Sequence, residues 1–492
     1  MDKSAVVVGA GICGLVTASL LAKSGWDVDL VEQAPSTGPL VRGFRRRGML
    51  CDTGFHYTGG LGERGILRKL LGALCGTCDL DIYELPENGF DCLRLLGSGQ
   101  DVFIPVGFPS VVAALRGAFP ECGNAANAYV AAVEDIVRRT PYLNPDLPPW
   151  NGDLLGQYEV SLEEFLRSVG ASERMVNALA SYGAFLYGMS ARETSLVYHA
   201  RVVGAYFASA HGICGGGEAL VDALTNCARS HGVCVRCATD MVDLVIESQG
   251  RVGGIVLGDG EHLPANLVVF TAHPAQLARM ILAGPQSQAA SPYWERLLIA
   301  ENTPSAFVQY IKISKSDLKA DVNYYLIGGA RGKVGSEGDD SSFALMASSV
   351  PCAGDGRGRV LLAECGAHDF PFGGGSAGES DKKRYAQWKQ DEGRRLVDMA
   401  RKHFPELNGA DLVVDMATPR TFSRWTKTPG GSLYGLKHGM ADRRVRMRTP
   451  IPGLWLAGQN VLMPGVMGAA ISAIMVCQAV VGGSRIWGML KP

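Results

Sequence analysis

Three glycines near the start of the sequence, followed by an acidic residue, have the spacing of a dinucleotide-binding turn. Gly9, Gly11 and Gly14 lie between a short apolar strand and a helix, and Glu32 ends the next strand. In such a motif the first glycine permits a tight turn, the second lets backbone approach a pyrophosphate, and the third lets helix and strand pack closely. The helix N-terminus stabilises the phosphate charge, and Glu32 would accept hydrogen bonds from ribose hydroxyls. Because the carboxylate disfavours a 2′-phosphate, NADP is a poor occupant.

Two cysteine pairs have the spacing of metal or redox sites, namely Cys75 with Cys78 and Cys234 with Cys237. The second pair lies on a predicted strand, where positions three apart point to opposite faces, so we predict no metal site. The 13 cysteines are scattered through apolar segments without the framework of a small secreted protein. This favours a reducing, cytoplasmic compartment.

The charge balance argues for a small-molecule partner. Lys and Arg number 47 against 48 Asp and Glu, so nothing indicates a nucleic acid partner. Two arginine runs, Arg45 to Arg47 and the group Arg443, Arg444, Arg446 and Arg448, offer charge for peripheral contact with anionic lipid headgroups; the alternative is solvated hairpin edges. The uncharged stretch from Gly465 to Gly483 reaches membrane-spanning length, but its Gly and Ala content favours a buried helix.

The elements around the glycine motif form a βαβ unit. Ala5 to Val8 and Asp27 to Val31 are predicted strands, with a helix from Ile12 to Ser24 between them. Val233 to Val245, Arg251 to Leu257 and Leu267 to Phe270 are predicted strands, the first two joined as a hairpin layer. Ser161 and Glu164 have capping-box spacing at the start of a predicted helix. Residues 76–204 alternate loops with helices, which predicts an inserted substrate domain.

The segment after Glu32 carries a recognisable pattern: Gly38, Arg42, then Gly48-Met49-Leu50-Cys51-Asp52-Thr53-Gly54-Phe55-His56-Tyr57. It resembles the FAD-dependent family that includes carotenoid desaturases, carotenoid isomerases and retinol saturases. The resemblance implies that Arg42, Gly54, His56 and Tyr57 lie on the cofactor side, beside Gly9, Gly11, Ile12, Cys13, Gly14, Glu32 and Gln33. The sequence departs from the family at Gly38-Pro39, where paired glycines are usual.

A second part of the resemblance lies at 452–470, in Pro452-Gly453-Leu454-Trp455-Leu456-Ala457-Gly458-Gln459-Asn460 and Pro464-Gly465-Val466-Met467-Gly468-Ala469-Ala470. It implies backbone approach at Gly458, a ribitol contact at Asn460, where Asp is usual, and a flavin-facing turn at Gly465, Val466, Met467 and Gly468. Gly215 to Leu220 resembles the family's middle segment, which implies an adenine contact through the backbone of Val242. A helix N-terminus at the flavin would stabilise its anionic reduced form.

The resemblance covers nearly the whole sequence and implies an α/β fold: a Rossmann-like FAD-binding domain of the two-dinucleotide-binding flavoprotein type with an inserted mixed α+β substrate domain. We assign 1–75, 205–280 and 425–492 to a discontinuous FAD-binding domain, and 76–204 and 281–424 to the substrate-binding domain.

The implied function is saturation or desaturation of a carbon–carbon double bond in an apolar isoprenoid or polyene, retinoid-like or carotenoid-like, by hydride transfer at flavin N5. The direction and the electron donor or acceptor stay open. His56, Tyr57 and Tyr434 are the candidate proton donors, and packing behind the cofactor is the alternative for each. Two other functions stay open: a redox-neutral cis–trans isomerase that uses reduced FAD, and a non-catalytic isoprenoid-binding escort protein.

Overall fold

The computed structural model describes residues 3–76, 80–144, 146–148, 156–284, 291–312, 318–328, 342–350, 358–365, 370–372, 379–407, 412–441 and 445–490. The strands are β1 (Ser4–Val8), β2 (Asp27–Val31), β3 (Phe44–Arg46), β4 (Met49–Cys51), β5 (Ile82–Glu84), β6 (Asp91–Leu95), β7 (Gln100–Ile104), β8 (His211–Ile213), β9 (Cys234–Arg236), β10 (Met241–Ile246), β11 (Val252–Leu257), β12 (His262–Pro264), β13 (Leu267–Phe270), β14 (Ser305–Lys312), β15 (Asn323–Ile327), β16 (Phe343–Ala347), β17 (Gly358–Cys365), β18 (Leu412–Ala417) and β19 (Leu454–Leu456). The helices are α1 (Ile12–Lys23), α2 (Ile66–Cys75), α3 (Phe108–Ala118), α4 (Gly123–Arg139), α5 (Leu162–Ser168), α6 (Glu173–Tyr187), α7 (Leu196–Ala208), α8 (Gly216–Ser230), α9 (Pro274–Ala283), α10 (Pro292–Ile299), α11 (Glu379–His403), α12 (Pro419–Thr426), α13 (Gly465–Val481) and α14 (Gly483–Met489).

A parallel sheet of five strands, in the order β19-β13-β1-β2-β9, forms the nucleotide-binding core. Its inner strands are short runs of Val and Leu, as expected for a parallel sheet covered on both faces. Helices α1 and α13 pack together in one apolar cluster with this sheet. The predicted Rossmann-like α/β fold is confirmed.

A second sheet of seven strands, in the order β18-β14-β17-β16-β15-β6-β7, is mostly antiparallel, with β15 and β6 parallel. All its strands come from 76–204 and 281–424, whereas the strands of the parallel sheet come from 1–75, 205–280 and 425–492. This distribution agrees with the added mixed domain. The domain boundaries stay a prediction.

The capping box at Ser161 and Glu164 is present at the start of α5, where each side chain bonds the other's backbone N–H. The single strand predicted from Val233 to Val245 is wrong. The chain turns at Ala238, which has φ of 53°, so β9 joins the parallel sheet and β10 pairs with β11 in a separate one. The N–H groups of Ala238 and Thr239 donate to the carbonyls of Ala34 and Glu32, and these long-range bonds hold the turn.

The apolar stretch from Gly465 onward forms the buried helix α13, as predicted. Within the described residues, no helix combines the length and apolarity that crossing a bilayer requires.

One cysteine pair departs from the expectation of reduced thiols. Cys75, at the end of α2, forms a disulfide with Cys227 in α8. Cys78 lies outside the described residues, while Cys234 and Cys237 are free thiols. Among the residues that the structure describes, no group of His, Cys, Asp and Glu could hold a metal ion.

Candidate active site

Each glycine of the first motif has a different role in the turn between β1 and α1. Gly9 has φ of 98°, and a Cβ there would lie 2.7 Å from Oγ1 of Thr271. A Cβ on Gly14 would lie 1.7 Å from the carbonyl oxygen of Gly9, so helix and strand can pack only without it. A Cβ on Gly11 would meet no protein atom within 4 Å. The protein therefore requires the first and third glycines, and Gly11 leaves open space in front of the helix N-terminus.

Glu32 directly follows β2, and two backbone groups hold its carboxylate. Its Oε2 accepts from the N–H of Ala10 at 2.7 Å and its Oε1 from that of Ala34 at 2.8 Å. The side chain is 6 % exposed, and burial raises the pKa of its carboxyl despite these bonds. A carboxylate has about four acceptor positions, so it can still bind ribose hydroxyls.

The pocket beside Glu32 brings together residues that are far apart in the sequence. Its wall includes Gly9, Glu32, Gln33 and the half-exposed Val242 of β10. These are the residues predicted for the adenosine end of the cofactor.

Between the two predicted ends of the cofactor, Gly38 has φ of 62° and lies against α8, where a Cβ would be 2.4 Å from a methyl group of Val221. Arg42 also faces α8. Its Nε donates to the carbonyl of Thr37 at 3.0 Å, and its guanidinium donates to Asp222 at 2.8 Å. The structure therefore gives Arg42 contacts within the protein, and a cofactor contact stays a prediction.

The neighbouring arginines also form ion pairs within the protein. Arg45 pairs with Glu218, and Arg46 lies 3.5 Å from Asp415. Arg443 and Arg444 lie outside the described residues.

The segment before α13 is shaped by two more glycines and an amide. Gly458 has φ of 105°, and its N–H donates to Oγ of Ser472 at 2.8 Å. The side chain of Asn460 is buried, and its Oδ1 accepts from the N–H of Leu436 at 2.9 Å. A Cβ on Gly468 would lie 2.3 Å from the carbonyl oxygen of Met463. Here the glycine permits the tight start of the helix.

A central cavity joins the start of α13 to the second sheet. Its wall contains the predicted residues Gly54, His56, Tyr57, Tyr434, Gly465, Val466, Met467 and Gly468. The rest of the wall is largely apolar and aromatic and includes Phe185, Tyr206, Tyr325 and Met346. Gly465 has φ of 81°, and a Cβ there would meet no protein atom within 4 Å, so the helix begins at open space. The structure thus brings predicted residues from both ends of the chain to one cavity, and their contacts with a cofactor stay a prediction.

The three candidate proton donors differ in what they can do. Burial lowers the pKa of His56 to about 4, so its imidazole is neutral at pH 7. Its Nδ1 is buried without a hydrogen-bond partner among the described residues. The hydroxyl of Tyr434 donates to the carbonyl of Phe185 at 2.5 Å. The hydroxyl of Tyr57 donates to Oδ2 of Asp91 at 2.7 Å and lies 3.1 Å from that of Tyr325.

Asp91 is the functional candidate that the sequence analysis missed. It begins β6 and is fully buried, and it also accepts hydrogen bonds from Tyr182 and Asn323. In the sequence it is a lone acid before an apolar strand, and its partner Asn323 is 232 positions away. Only the parallel pairing of β6 with β15 sets the two residues side by side.

Comparison with known proteins agrees with this architecture. The profile of the NAD(P)-binding Rossmann-like domain matches residues 7–74. The all-trans-retinol 13,14-reductase of Rattus norvegicus is 24 % identical, over 97 % of this chain and 85 % of its own length. The hydroxyneurosporene desaturase of Cereibacter sphaeroides is 25 % identical, over 96 % of this chain and 97 % of its own. The chain is therefore similar, over nearly its whole length, to retinol reductases and carotenoid desaturases. The resemblance seen in the sequence is confirmed.

The fold of this chain is also found in distant solved structures. An oxidoreductase from Methanosarcina mazei superposes with a TM-score of 0.67 at 15 % identity, over 96 % of this chain and 99 % of its own. At that identity the likeness concerns the fold alone. The sequence departs from the pattern of the family it resembles at Gly38-Pro39 and Asn460. A Cβ at Gly38 would collide with Val221, and Oδ1 of Asn460 accepts from the N–H of Leu436.

Proposed function

We propose that this protein is an FAD-dependent oxidoreductase that adds or removes hydrogen across a carbon–carbon double bond of an apolar isoprenoid or polyene. The observation that carries the proposal is the central cavity, where the open N-terminus of α13 faces an aromatic wall with Tyr57. The curated relatives are named for reactions on all-trans-retinol and hydroxyneurosporene, which supports a retinoid-like or carotenoid-like substrate.

The described residues fit FAD in three places. Glu32, Gln33 and Val242 would hold the adenosine, and the open space at Gly11 would admit the pyrophosphate. The turn at 465–468, which lines the central cavity, would hold the flavin, and Gly458 and Asn460 just before it would hold the ribitol. The other motif residues, Gly9, Ile12, Cys13, Gly14, Arg42 and Gly54, would form or support the same surface. When bound, the flavin supplies hydride exchange at N5.

A large groove supports an apolar substrate. It has a volume of about 870 Å³ and meets the central cavity at Arg201 and Met463. Its wall includes Met440, Met447 and Met475, and methionine side chains adapt to irregular apolar ligands. The groove would hold the chain of a polyene while the reacting double bond reaches the flavin. The bound polyene would also exclude water from the flavin.

The deciding experiment is the visible spectrum of the purified protein, with anaerobic reduction and then addition of retinoids or carotenoids. We expect flavin bands that bleach on reduction and return with a polyene that becomes saturated. A polyene that changes only its geometry, while the flavin stays reduced, would indicate the isomerase. Protein without flavin bands, even after added FAD, would contradict the proposal in favour of the escort function.

A matched pair of variants separates cofactor loss from misfolding. Gly11→Leu adds a side chain where no protein atom lies within 4 Å, so the fold should persist while flavin content falls. Gly117→Leu makes the same change at an exposed helical glycine with equally open surroundings, and it should retain flavin. Full flavin occupancy in Gly11→Leu would contradict the assigned pyrophosphate position.

A further inference from the structure

The carboxylate of Asp91 is isolated from solvent and from cations. It is 0 % exposed, and it forms no ion pair with any lysine or arginine in the described part of the chain. Tyr57 and Tyr182 each donate to Oδ2 at 2.7 Å, and the Asn323 amide donates to Oδ1 at 2.9 Å. The Asn323 amide is itself oriented, because its Oδ1 accepts from the N–H of Ala347 at 2.9 Å.

This environment favours the protonated acid. Burial outweighs the three hydrogen bonds and raises the pKa of Asp91 to about 6. The ionisable groups that face it are phenols, those of Tyr57, Tyr182, Tyr325 and Tyr206, and burial raises the pKa of each of them as well. Asp91 is therefore the group of this cluster that exchanges a proton near neutral pH.

Of the two tyrosines that bond Oδ2, Tyr57 lines the central cavity, whereas Tyr182 is absent from its wall. Tyr57 also lies 3.1 Å from the hydroxyl of Tyr325, a second wall residue. A phenolic hydroxyl can rotate and can both donate and accept. Tyr57 therefore connects a buried acid to the space beside the predicted flavin.

We propose that Asp91 holds the proton exchanged at the substrate carbon, and that Tyr57 is the catalytic group that transfers it. The inference rests on the proposed function. In saturation, one alkene carbon receives a hydride, with its electron pair, which bound reduced flavin would supply. The Tyr57 hydroxyl proton bonds to the other carbon, and the Asp91 proton moves to the Tyr57 oxygen, which leaves a carboxylate. In desaturation the Tyr57 oxygen takes the proton from the substrate carbon and passes its own proton to the Asp91 carboxylate, and bound oxidised flavin would accept the hydride.

This assignment gives Asp91 a positioning and proton-holding role, because it acts through Tyr57. It also explains why Tyr57 needs a partner. A phenol whose pKa burial has raised does not ionise alone, but it transfers a proton when it receives another in the same step.

The test compares Tyr57→Phe with Tyr182→Phe. Each variant removes one hydroxyl that donates a hydrogen bond to Oδ2 of Asp91, and both tyrosines are buried. Reoxidation of reduced flavin by a polyene is followed anaerobically in stopped flow. Flavin reoxidation in Tyr57→Phe should be slower than in the wild type by about 100-fold or more, the usual effect of losing a general acid. In Tyr182→Phe its rate should stay within about threefold of the wild-type rate. Flavin content and melting temperature are measured for both.

A pH series adds the ionisation to this test. In the saturating direction the wild-type rate should fall about tenfold per pH unit above the pKa of Asp91, and in the desaturating direction it should fall below that pKa. Asp91→Asn should remove either dependence. Equal losses in the two Phe variants would indicate a purely structural cluster, and an unchanged rate in Tyr57→Phe would overturn the transfer role.

An infrared titration provides a readout independent of turnover. Wild-type protein with isotope-labelled aspartate should show a buried carboxylic acid band that disappears as the pH rises through about 6. Its absence at every pH would overturn Asp91 as the proton holder, even in an active enzyme. Failure of wild-type flavin to react with any polyene would instead refute the proposed function, and the transfer role with it.

Discussion

The N–H of Ala10, inside the glycine turn, donates to Oε2 of Glu32 at 2.7 Å. The acid predicted to bind the ribose therefore also holds the turn that would receive the pyrophosphate. One carboxylate links the predicted ribose and pyrophosphate positions, so its replacement should lower both the stability of the protein and its affinity for the cofactor.

We expect Glu32→Gln to lower FAD affinity by about tenfold or more and to destabilise the protein by about 1–3 kcal/mol. The amide replaces one acceptor oxygen with a donor, so either Ala10 or Ala34 loses its buried partner. FAD titration and chemical unfolding measure the two effects. Glu247→Gln, at an exposed position, is the control and should change neither. Normal FAD affinity in Glu32→Gln would show that Glu32 does not bind the cofactor.

Asn460 should be replaceable by the family's usual residue. Asn460→Asp keeps an oxygen that can accept from the N–H of Leu436, so flavin content should match the wild type. Asn460→Ala leaves that buried amide without its acceptor and should cost about 1–3 kcal/mol. Flavin content and unfolding free energy are compared for both variants. Equal stability of Asn460→Ala and wild type would show that this bond does not support the loop.

The buried His199 should make the protein acid-labile. Its ring nitrogens lie 2.8 Å and 3.0 Å from the hydroxyls of Tyr129 and Tyr187, and burial lowers its pKa to about 3. The unfolded chain binds a proton below about pH 6.5 and the folded chain does not, so the stabilisation present above that pH is lost on acidification. The loss should reach about 3 kcal/mol by pH 4.

Unfolding of wild type and His199→Gln between pH 7 and pH 4 measures this loss as a difference in slope. Because Asp91 has a raised pKa, its own contribution is largest at low pH and is lost as the pH rises toward 6; it is common to both proteins and cancels. Replacement of His262, an exposed residue, is the control. Parallel pH profiles for wild type and His199→Gln would refute the prediction.

The bond between Cys75 and Cys227 should stabilise the contact of α2 with α8. It closes a loop with a sequence separation of 152, so its loss in Cys75→Ser/Cys227→Ser should cost about 2–5 kcal/mol. Unfolding with and without reductant gives the same quantity for the wild type. Cys234→Ser, which removes an exposed free thiol, should have no effect. If the unfolding free energy of the wild-type protein did not change with reductant, the result would contradict this contribution.

The sequence predicted well those parts of the molecule whose signal is local. The turn from Gly9 to Gly14 and the strand Asp27–Val31 lie within one short segment, and their spacing specifies their structure. The Cys75–Cys227 and Asp91–Asn323 contacts depend on pairings between distant elements, and no local pattern encodes them. The apolar run through Ala238 has the composition of one strand, yet contacts to Ala34 and Glu32 divide it between two sheets.

The cavity between the start of α13 and the aromatic wall has a consequence for biosynthesis. Gly54 and Gly468 line the same space, and the chain between them includes the whole seven-stranded sheet. A ribosome must therefore synthesise residue 468 before the predicted flavin pocket can close. At about 5–20 residues per second, the nucleotide turn waits on the order of half a minute or more for its distant partner. Any translation stop before α13 would release a protein that can begin to fold but cannot retain its cofactor.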